Sequence, residues 1–139
     1  EDDFLLTYGD GLSNININKL IKFHKAHKKI LTVTGVRPPG RFGEIQASED
    51  GKIFEFNEKP QSVKGRISGG FFVVNKKIFD YLDENDDQLV FEDKPMKELV
   101  KKNELMMYKH DSFWQAMDTA REYKLLNDLY AAGNPPWNL

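Results

Sequence analysis

The sequence of 139 residues has no cysteine, so disulfide bonds, thiolate zinc sites and cysteine nucleophiles are excluded. It also has no apolar run approaching the roughly 18 residues that a membrane-spanning helix requires. Its first residues do not resemble a signal peptide. We therefore expect a cytoplasmic protein without a membrane partner.

Neither sign of charge dominates, because 22 acidic residues stand against 20 basic ones and the net charge is −2. No block of like charge is long enough to form a polybasic surface, which argues against nucleic acid as a partner. A hydrophobic fraction of 40% and a charged fraction of 30% are typical of soluble globular proteins. The length, with no repeat or linker, predicts a single domain over residues 1–139.

The first part of the chain follows a strand, helix, strand pattern. Residues 4–7 form a short apolar run that ends in a glycine-rich turn, and residues 30–36 alternate apolar and threonine side chains. Between them Asn16 or Asn18 can cap an amphipathic helix. This order predicts that the two strands form a parallel pair.

Turn and capping residues predict the remaining elements. An Asp-Gly step between two β-type runs indicates a hairpin, because glycine accepts positive φ. Thr119 and Glu122 form a capping box before a helical repeat that Gly133 ends. The predicted elements are a hairpin of residues 43–47 and 52–57, a strand of residues 70–75, a short helix capped by Asn75, a helix near residues 95–102, a strand near residues 105–108 and the helix after Thr119. Together they predict an α/β domain.

Two aspartates lie where a strand ends and a turn begins, the position at which open α/β sheets bind ligands. Asp10 lies in Tyr8-Gly9-Asp10-Gly11, and Asp118 comes just before the last helix. Magnesium prefers oxygen ligands and is often held by one or two carboxylates. Alternatively, Asp10 bonds to backbone amides of its own turn and Asp118 favours a helix amino terminus.

A second group of candidates suits a phosphorylated sugar. In Glu58-Lys59-Pro60 the ammonium of Lys59 can bind a phosphate while Glu58 accepts hydrogen bonds from hydroxyls, although a solvated charged turn explains the same residues. Gly70 follows Gly69 at a strand start, where glycine allows close approach of a ligand or marks a β-bulge. Trp114 can stack on a substrate or belong to the core.

Several motifs together resemble the sugar-nucleotide pyrophosphorylase family, in particular its cytidylyltransferase branch. They are Leu6-Thr7-Tyr8-Gly9-Asp10-Gly11, Arg37-Pro38-Pro39-Gly40-Arg41-Phe42-Gly43, Glu58-Lys59-Pro60, Gly69-Gly70-Phe71-Phe72-Val73 and Phe113-Trp114-Gln115-Ala116-Met117-Asp118-Thr119. The resemblance implies a Rossmann-like, glycosyltransferase-A-like mixed sheet flanked by helices. It also implies nucleotidyl transfer from CTP to glucose 1-phosphate, giving CDP-glucose and pyrophosphate, with Mg²⁺ as cofactor.

The resemblance also assigns roles to individual residues. Asp10, Lys59 and Asp118 become the catalytic residues, and the two aspartates become the magnesium ligands. Ser68 stands where the branch commonly has asparagine, which removes an amide from the sugar site. The residues implied to bind substrate are Gly43, Glu58, Lys59, Ser68, Gly70 and Trp114.

Family members open with a strand leading into a glycine-rich nucleotide-binding loop, and no such segment precedes Glu1. We therefore expect a carboxyl-terminal fragment of the enzyme that lacks the first strands of the sheet. Such a fragment would form a homo-oligomer or pair with the missing amino-terminal segment. The alternatives are a non-catalytic domain that binds a sugar phosphate or only assembles with a partner, and a nucleotidylyltransferase with a different nucleotide specificity.

Overall fold

The computed structural model describes residues 2–38, 44–57 and 65–138. Within these ranges, short strands alternate with three α-helices and one 3-10 helix. In chain order these elements are β1 (Asp3–Thr7), β2 (Gly11–Ser13), α1 (Ile17–His27), β3 (Leu31–Val36), β4 (Glu44–Ala47), β5 (Ile53–Asn57), β6 (Ile67–Asn75), the 3-10 helix Lys76–Tyr81, α2 (Lys94–Lys101), β7 (Leu105–His110), β8 (Trp114–Ala116) and α3 (Ala120–Ala131).

Four strands form a mixed sheet in the order β1-β6-β3-β7. Strand β6 is antiparallel to both β1 and β3, whereas β3 and β7 are parallel. Two further pairs are antiparallel ribbons, β2 with β8 and β4 with β5. The α/β class and the mixed sheet flanked by helices are confirmed.

The predicted parallel pair between residues 4–7 and residues 30–36 is wrong. Strands β1 and β3 run in the same direction, but β6 lies between them and bonds to both. Strand β6 has Phe72, Val73 and Val74 fully buried on its two faces, as expected of one of the two inner strands of the sheet. A strand, helix, strand pattern sets direction but not adjacency.

The sheet has an apolar layer on each side, because successive side chains of a strand point to opposite faces. Phe72 and Val74 pack with Ile78 and Leu99, on the side of the 3-10 helix and α2. Val73 packs with Ile15 and Leu20, on the side of α1. No helix in the described part of the chain is long and apolar enough to cross a membrane.

The local signals in the sequence correspond to the observed element ends. The side chain of Asn16 caps α1 by accepting a hydrogen bond from Lys19 N, 2.9 Å away. Gly51 has a φ of +85° in the turn of the β4–β5 hairpin, and Gly133 has a φ of +97° after α3. Asn75 caps a helix as predicted, although that helix is 3-10 rather than α.

Candidate functional site

The β2–β8 ribbon brings the two candidate metal ligands together. Strands β2 and β8 are antiparallel, with Gly11 opposite Ala116. Just beyond that pair, Met117 N donates a hydrogen bond of 2.8 Å to the carbonyl oxygen of Asp10. Asp10 and Asp118, from opposite ends of the chain, therefore lie at the same end of one ribbon.

Both aspartates are exposed, and neither carboxylate accepts a hydrogen bond from the described residues. The N–H of Asp118 donates to Oε2 of the buried Glu122 at 3.2 Å, which holds the start of α3 against the ribbon. Within residues 2–38, 44–57 and 65–138 no group of three or more His, Cys, Asp and Glu side chains forms a metal cluster. Carboxylate oxygens are the ligands that Mg²⁺ prefers, with phosphates and water completing its coordination, and magnesium binding by Asp10 and Asp118 stays a prediction.

Gly69 and Gly70 lie in a β-bulge. Along the β3–β6 ladder Val33 pairs with Phe72 and Gly35 pairs with Ser68, so β6 contains two extra residues between these pairs. Gly70 has a φ of +75°, a conformation that glycine adopts at low cost. The bulge alternative is therefore correct for this glycine pair, and ligand contact at Gly70 stays a prediction.

Trp114 connects the ribbon to this bulge. Its indole Nε1 donates a hydrogen bond of 2.9 Å to the carbonyl oxygen of Gly69. The indole is half-buried, and a Cβ added to Gly69 would lie 3.3 Å from Nε1. Trp114 thus has a structural contact that ties β8 to β6, and its stacking on a substrate stays a prediction.

Ser68 belongs to the same bulge, is exposed, and accepts a hydrogen bond of 3.3 Å from Gly70 N. It therefore directly precedes Gly69, whose carbonyl oxygen accepts the hydrogen bond from Trp114. Gly43, Glu58 and Lys59 fall outside the described residues, so their roles stay predictions.

Tyr8 lies near this site, although no role was predicted for it from the sequence. Its N–H donates to the carbonyl oxygen of Gly70 at 2.9 Å, and its ring packs edge-on against Phe72 with centroids 5.4 Å apart. Burial of the phenol, together with the charge and hydrogen bond of Glu92, raises the pKa of Tyr8 to about 12. The Tyr8 side chain therefore lies near Glu92, in the loop before α2, as well as against the bulge. The only sequence signal was its place in the Tyr-Gly-Asp-Gly motif.

Two histidines of α1, His24 and His27, are linked by hydrogen bonds to Thr32 of β3. Thr32 Oγ1 is 2.8 Å from Nδ1 of His24 and 2.6 Å from Nε2 of His27. Because His27 Nδ1 accepts from Lys29 N, its Nε2–H donates to Thr32, whose hydroxyl donates to His24. His24 Nε2–H then points to Asp3 Oδ1, 3.5 Å away. Burial holds the pKa of both histidines below the usual value.

Curated proteins similar in sequence to this chain are named glucose-1-phosphate cytidylyltransferases. The chain is 43% identical over 139 residues to a glucose-1-phosphate cytidylyltransferase of Salmonella typhi and 42% identical over 137 residues to that of Salmonella typhimurium. Each match covers 99% of this chain and 52% of the relative, so the chain spans about half the length of these curated relatives.

Solved structures share the fold at lower sequence identity. A Bacillus anthracis crystal structure superposes with a TM-score of 0.68 at 21% identity, covering 96% of this chain and 56% of that one. HddC from Yersinia pseudotuberculosis superposes with a TM-score of 0.61 at 19% identity, covering 94% and 56%. The model of the family described as Nucleotidyl transferase matches residues 1–129, and the chain therefore belongs to the nucleotidyl transferase family.

Proposed function

We propose that this chain supplies the metal side and the sugar side of a site that transfers a cytidylyl group from CTP to glucose 1-phosphate. The products are CDP-glucose and pyrophosphate. The hydrogen bond between Met117 N and Asp10 O carries the proposal, because it brings the two aspartates to one end of a ribbon. The printed activity of relatives 42–43% identical to this chain supports the choice of substrates.

The reaction needs positioning and charge neutralisation rather than a protein nucleophile. A phosphate oxygen of glucose 1-phosphate forms a bond to the α-phosphorus of CTP, and the bond from that phosphorus to the pyrophosphate oxygen breaks. Asp10 and Asp118 would hold Mg²⁺, which neutralises phosphate charge when bound. Because both carboxylates are exposed and accept no hydrogen bond from the described residues, they are free to take this role.

On the sugar side, Lys59 would bind the phosphate of glucose 1-phosphate and Glu58 would accept hydrogen bonds from its hydroxyls. Gly43, Ser68, Gly70 and Trp114 would line the sugar. The contacts around the bulge support this assignment. Tyr8, two residues before Asp10, bonds to Gly70 O, and a Cβ built on Gly11, the residue after Asp10, would lie 3.8 Å from Gly69 O. Since the proposed donor is CTP, we infer that the reaction takes place in the cytoplasm.

The proposed activity is tested with a joined enzyme, in which this chain replaces the matching part of the Salmonella typhi relative. The joined enzyme is incubated with CTP, Mg²⁺ and glucose 1-phosphate, and CDP-glucose and pyrophosphate are followed. We expect turnover, and we expect the 139-residue chain alone to give none because it spans about half of the relative. A folded joined enzyme that forms no CDP-glucose, or that prefers another nucleoside triphosphate, would contradict the proposal.

The metal assignment is tested in the same joined enzyme. Asp118→Asn and Asp10→Asn should each lower kcat by about 100-fold or more, because metal charge is needed most as pyrophosphate departs. Asp128→Asn is the matched control, since Asp128 is an exposed aspartate of α3 that pairs with Lys124. If kcat is unchanged in Asp118→Asn, the role of Asp118 is to favour the amino terminus of α3 and not to bind metal.

A further inference from the structure

Arg66 is a buried cation just before β6. Its side chain is only 10% exposed. Nη1 donates to the carbonyl oxygens of Gly35 and His110, at 3.0 and 3.2 Å, and Nη2 donates to Oδ1 of Asp111 at 2.5 Å. Gly35 lies near the end of β3, His110 is the last residue of β7, and Asp111 follows it. One guanidinium therefore bonds to the carboxyl ends of two parallel strands and to the loop after them.

The side chain of Arg66 reaches β7 by crossing β3, which lies between β6 and β7 in the sheet. It crosses at Gly35. A Cβ built on Gly35 would lie 3.3 Å from Cδ of Arg66 and 2.7 Å from Cγ of Met107. Any larger residue at this position would displace the arginine or the methionine. The bonds from Arg66 to β7 therefore depend on the missing side chain at Gly35.

Stability alone does not explain a buried arginine at this position. Asp111 is 67% exposed, so water screens its attraction to Arg66, although the hydrogen bond lowers the pKa of the Asp111 carboxyl. Burying a guanidinium costs desolvation, and apolar side chains of similar size often replace buried ion pairs without loss of stability. An apolar side chain does not hold two carbonyl oxygens and a carboxylate in fixed directions. The geometry of these contacts is therefore the property that distinguishes Arg66.

The loop that Arg66 holds is also bonded to the ribbon of the two aspartates. Residues 111–113 form this β7–β8 loop. Ser13 Oγ donates to the carbonyl oxygen of Phe113 at 2.8 Å, and Asn14 Nδ2 donates to Ser112 Oγ at 2.8 Å. The β2–β8 ribbon is three residue pairs long. The β7–β8 loop at one end of so short a ribbon therefore sets the place of Asp10 and Asp118 at the other end.

Arg66 and Trp114 connect the same two segments of the chain. Trp114 bonds to the carbonyl oxygen of Gly69, and Arg66, three residues before Gly69, bonds to Asp111, three residues before Trp114. A single hydrogen bond would let one segment turn about the other. Two bonds at separate points fix both the distance and the direction between the segments.

We propose that Arg66 is a positioning residue of the transferase site. It would hold the bulge with Ser68 and Gly70 in a fixed place relative to Asp10 and Asp118, without contacting substrate itself. This inference rests on the proposed function and adds to it a residue that acts only through others. Such a residue matters because a displacement of about 1 Å between reacting groups can lower the rate by about 100-fold.

The kinetics of the joined enzyme test this role. Arg66→Met keeps a long side chain and removes the fork, and it should lower kcat by about tenfold or more and raise the KM for glucose 1-phosphate. The KM for CTP should stay the same, because the expected nucleotide-binding loop lies outside this chain. Arg66→Lys keeps the charge without the fork and should recover only part of the loss. Lys124→Met, which removes an exposed ion pair of α3, is the matched control and should behave like the unmodified enzyme.

Hydrogen exchange of the Trp114 indole N–H tests the same role without catalysis. The sequence has two tryptophans, so the ¹⁵N-labelled chain gives two indole signals, and Trp137→Phe assigns them. If Arg66 and Trp114 together hold the two segments, the bond from Trp114 to Gly69 should open more often once Arg66 is replaced. We expect the Trp114 indole N–H to exchange about tenfold faster in Arg66→Met and unchanged in Lys124→Met.

Two results would overturn the inference about Arg66. One is a lower maximal rate with an unchanged KM for glucose 1-phosphate in Arg66→Met, since this is the effect of a smaller folded fraction alone. The other is unchanged exchange of the Trp114 indole N–H. If Arg66→Met does not fold, Arg66→Lys decides, and kinetics equal to those of the unmodified enzyme would show that the fork is not needed. An unmodified joined enzyme without turnover contradicts the proposed function instead, and the indole exchange then decides the role of Arg66.

Discussion

The indole Nε1 of Trp114 donates a 2.9 Å hydrogen bond to the carbonyl oxygen of Gly69. This bond joins β8, which leads to Asp118, to the bulge of β6, which contains Ser68 and Gly70. Trp114 therefore holds the metal side and the sugar side of the proposed site together. The space beside Gly69 is filled, because a Cβ at this position would lie within 3.3 Å of both Val36 and Trp114.

Gly69→Ala should destabilise the fold by about 1–3 kcal/mol, because the added methyl group overpacks a filled space. A Cβ at this position would lie 2.9 Å from Cγ1 of Val36 and 3.4 Å from the carbonyl oxygen of Thr34. Urea denaturation of the purified chain measures the change. Gly9→Ala is the control, since a Cβ at Gly9 meets nothing within 4 Å. Equal midpoints for the two variants would contradict the packing argument.

The Tyr8 phenol should make stability fall at alkaline pH. Its pKa is raised from 10.0 to about 12, so the folded chain binds this proton more tightly than the unfolded chain. The sign of the linkage then requires stability to be lost as pH rises from about 10 through about 12. Tyr8→Phe keeps the ring contact and removes the titrating group. Its urea midpoint should fall less than that of the unmodified chain over this range, and parallel curves would count against a raised pKa of Tyr8.

The two histidines should make stability fall at acid pH. Burial lowers the pKa of His24 and His27 from 6.5, Asp3 opposes this shift at His24, and Lys29 adds to it at His27. The unfolded chain therefore binds more protons below pH 6.5, and stability is lost as pH falls through the folded-state pKa values. His27→Gln removes one titrating group at a half-buried position.

Urea midpoints at about pH 7 and about pH 5 measure this acid effect. The unmodified chain should lose more stability between these two values than His27→Gln does. The same loss in both proteins would show that other groups, such as the carboxylates, are responsible.

Lys59→Ala in the joined enzyme should weaken the binding of glucose 1-phosphate by about 1.5–3 kcal/mol and leave glucose binding little changed. The reason is the loss of a charge-assisted hydrogen bond to the phosphate. Isothermal titration calorimetry with both ligands measures the effect. Lys52→Ala, at an exposed lysine before β5, is the control. If glucose 1-phosphate binds equally to both variants, Lys59 is a surface lysine.

Elements that depend on neighbouring residues could be predicted from the sequence. Three of these elements need only a side chain and a backbone group two to four residues away. They are the Asn16 cap, the Asp50-Gly51 hairpin and the Thr119 cap. Such contacts form wherever the local sequence allows them. The predicted adjacency of β1 and β3 was wrong because strand order depends on contacts between distant segments. Strand β6, which is buried on both faces, lies between them.

By itself the sequence determined the α/β class, most element ends and the motifs that relate the chain to nucleotidyl transferases. Only the tertiary structure decided that Asp10 meets Met117 across a ribbon, that Trp114 bonds to Gly69 and that Glu92 lies near the Tyr8 phenol. These pairs are far apart along the chain. Their contacts depend on how strands are ordered and where a bulge turns the backbone, which residue spacing along one strand or helix does not specify.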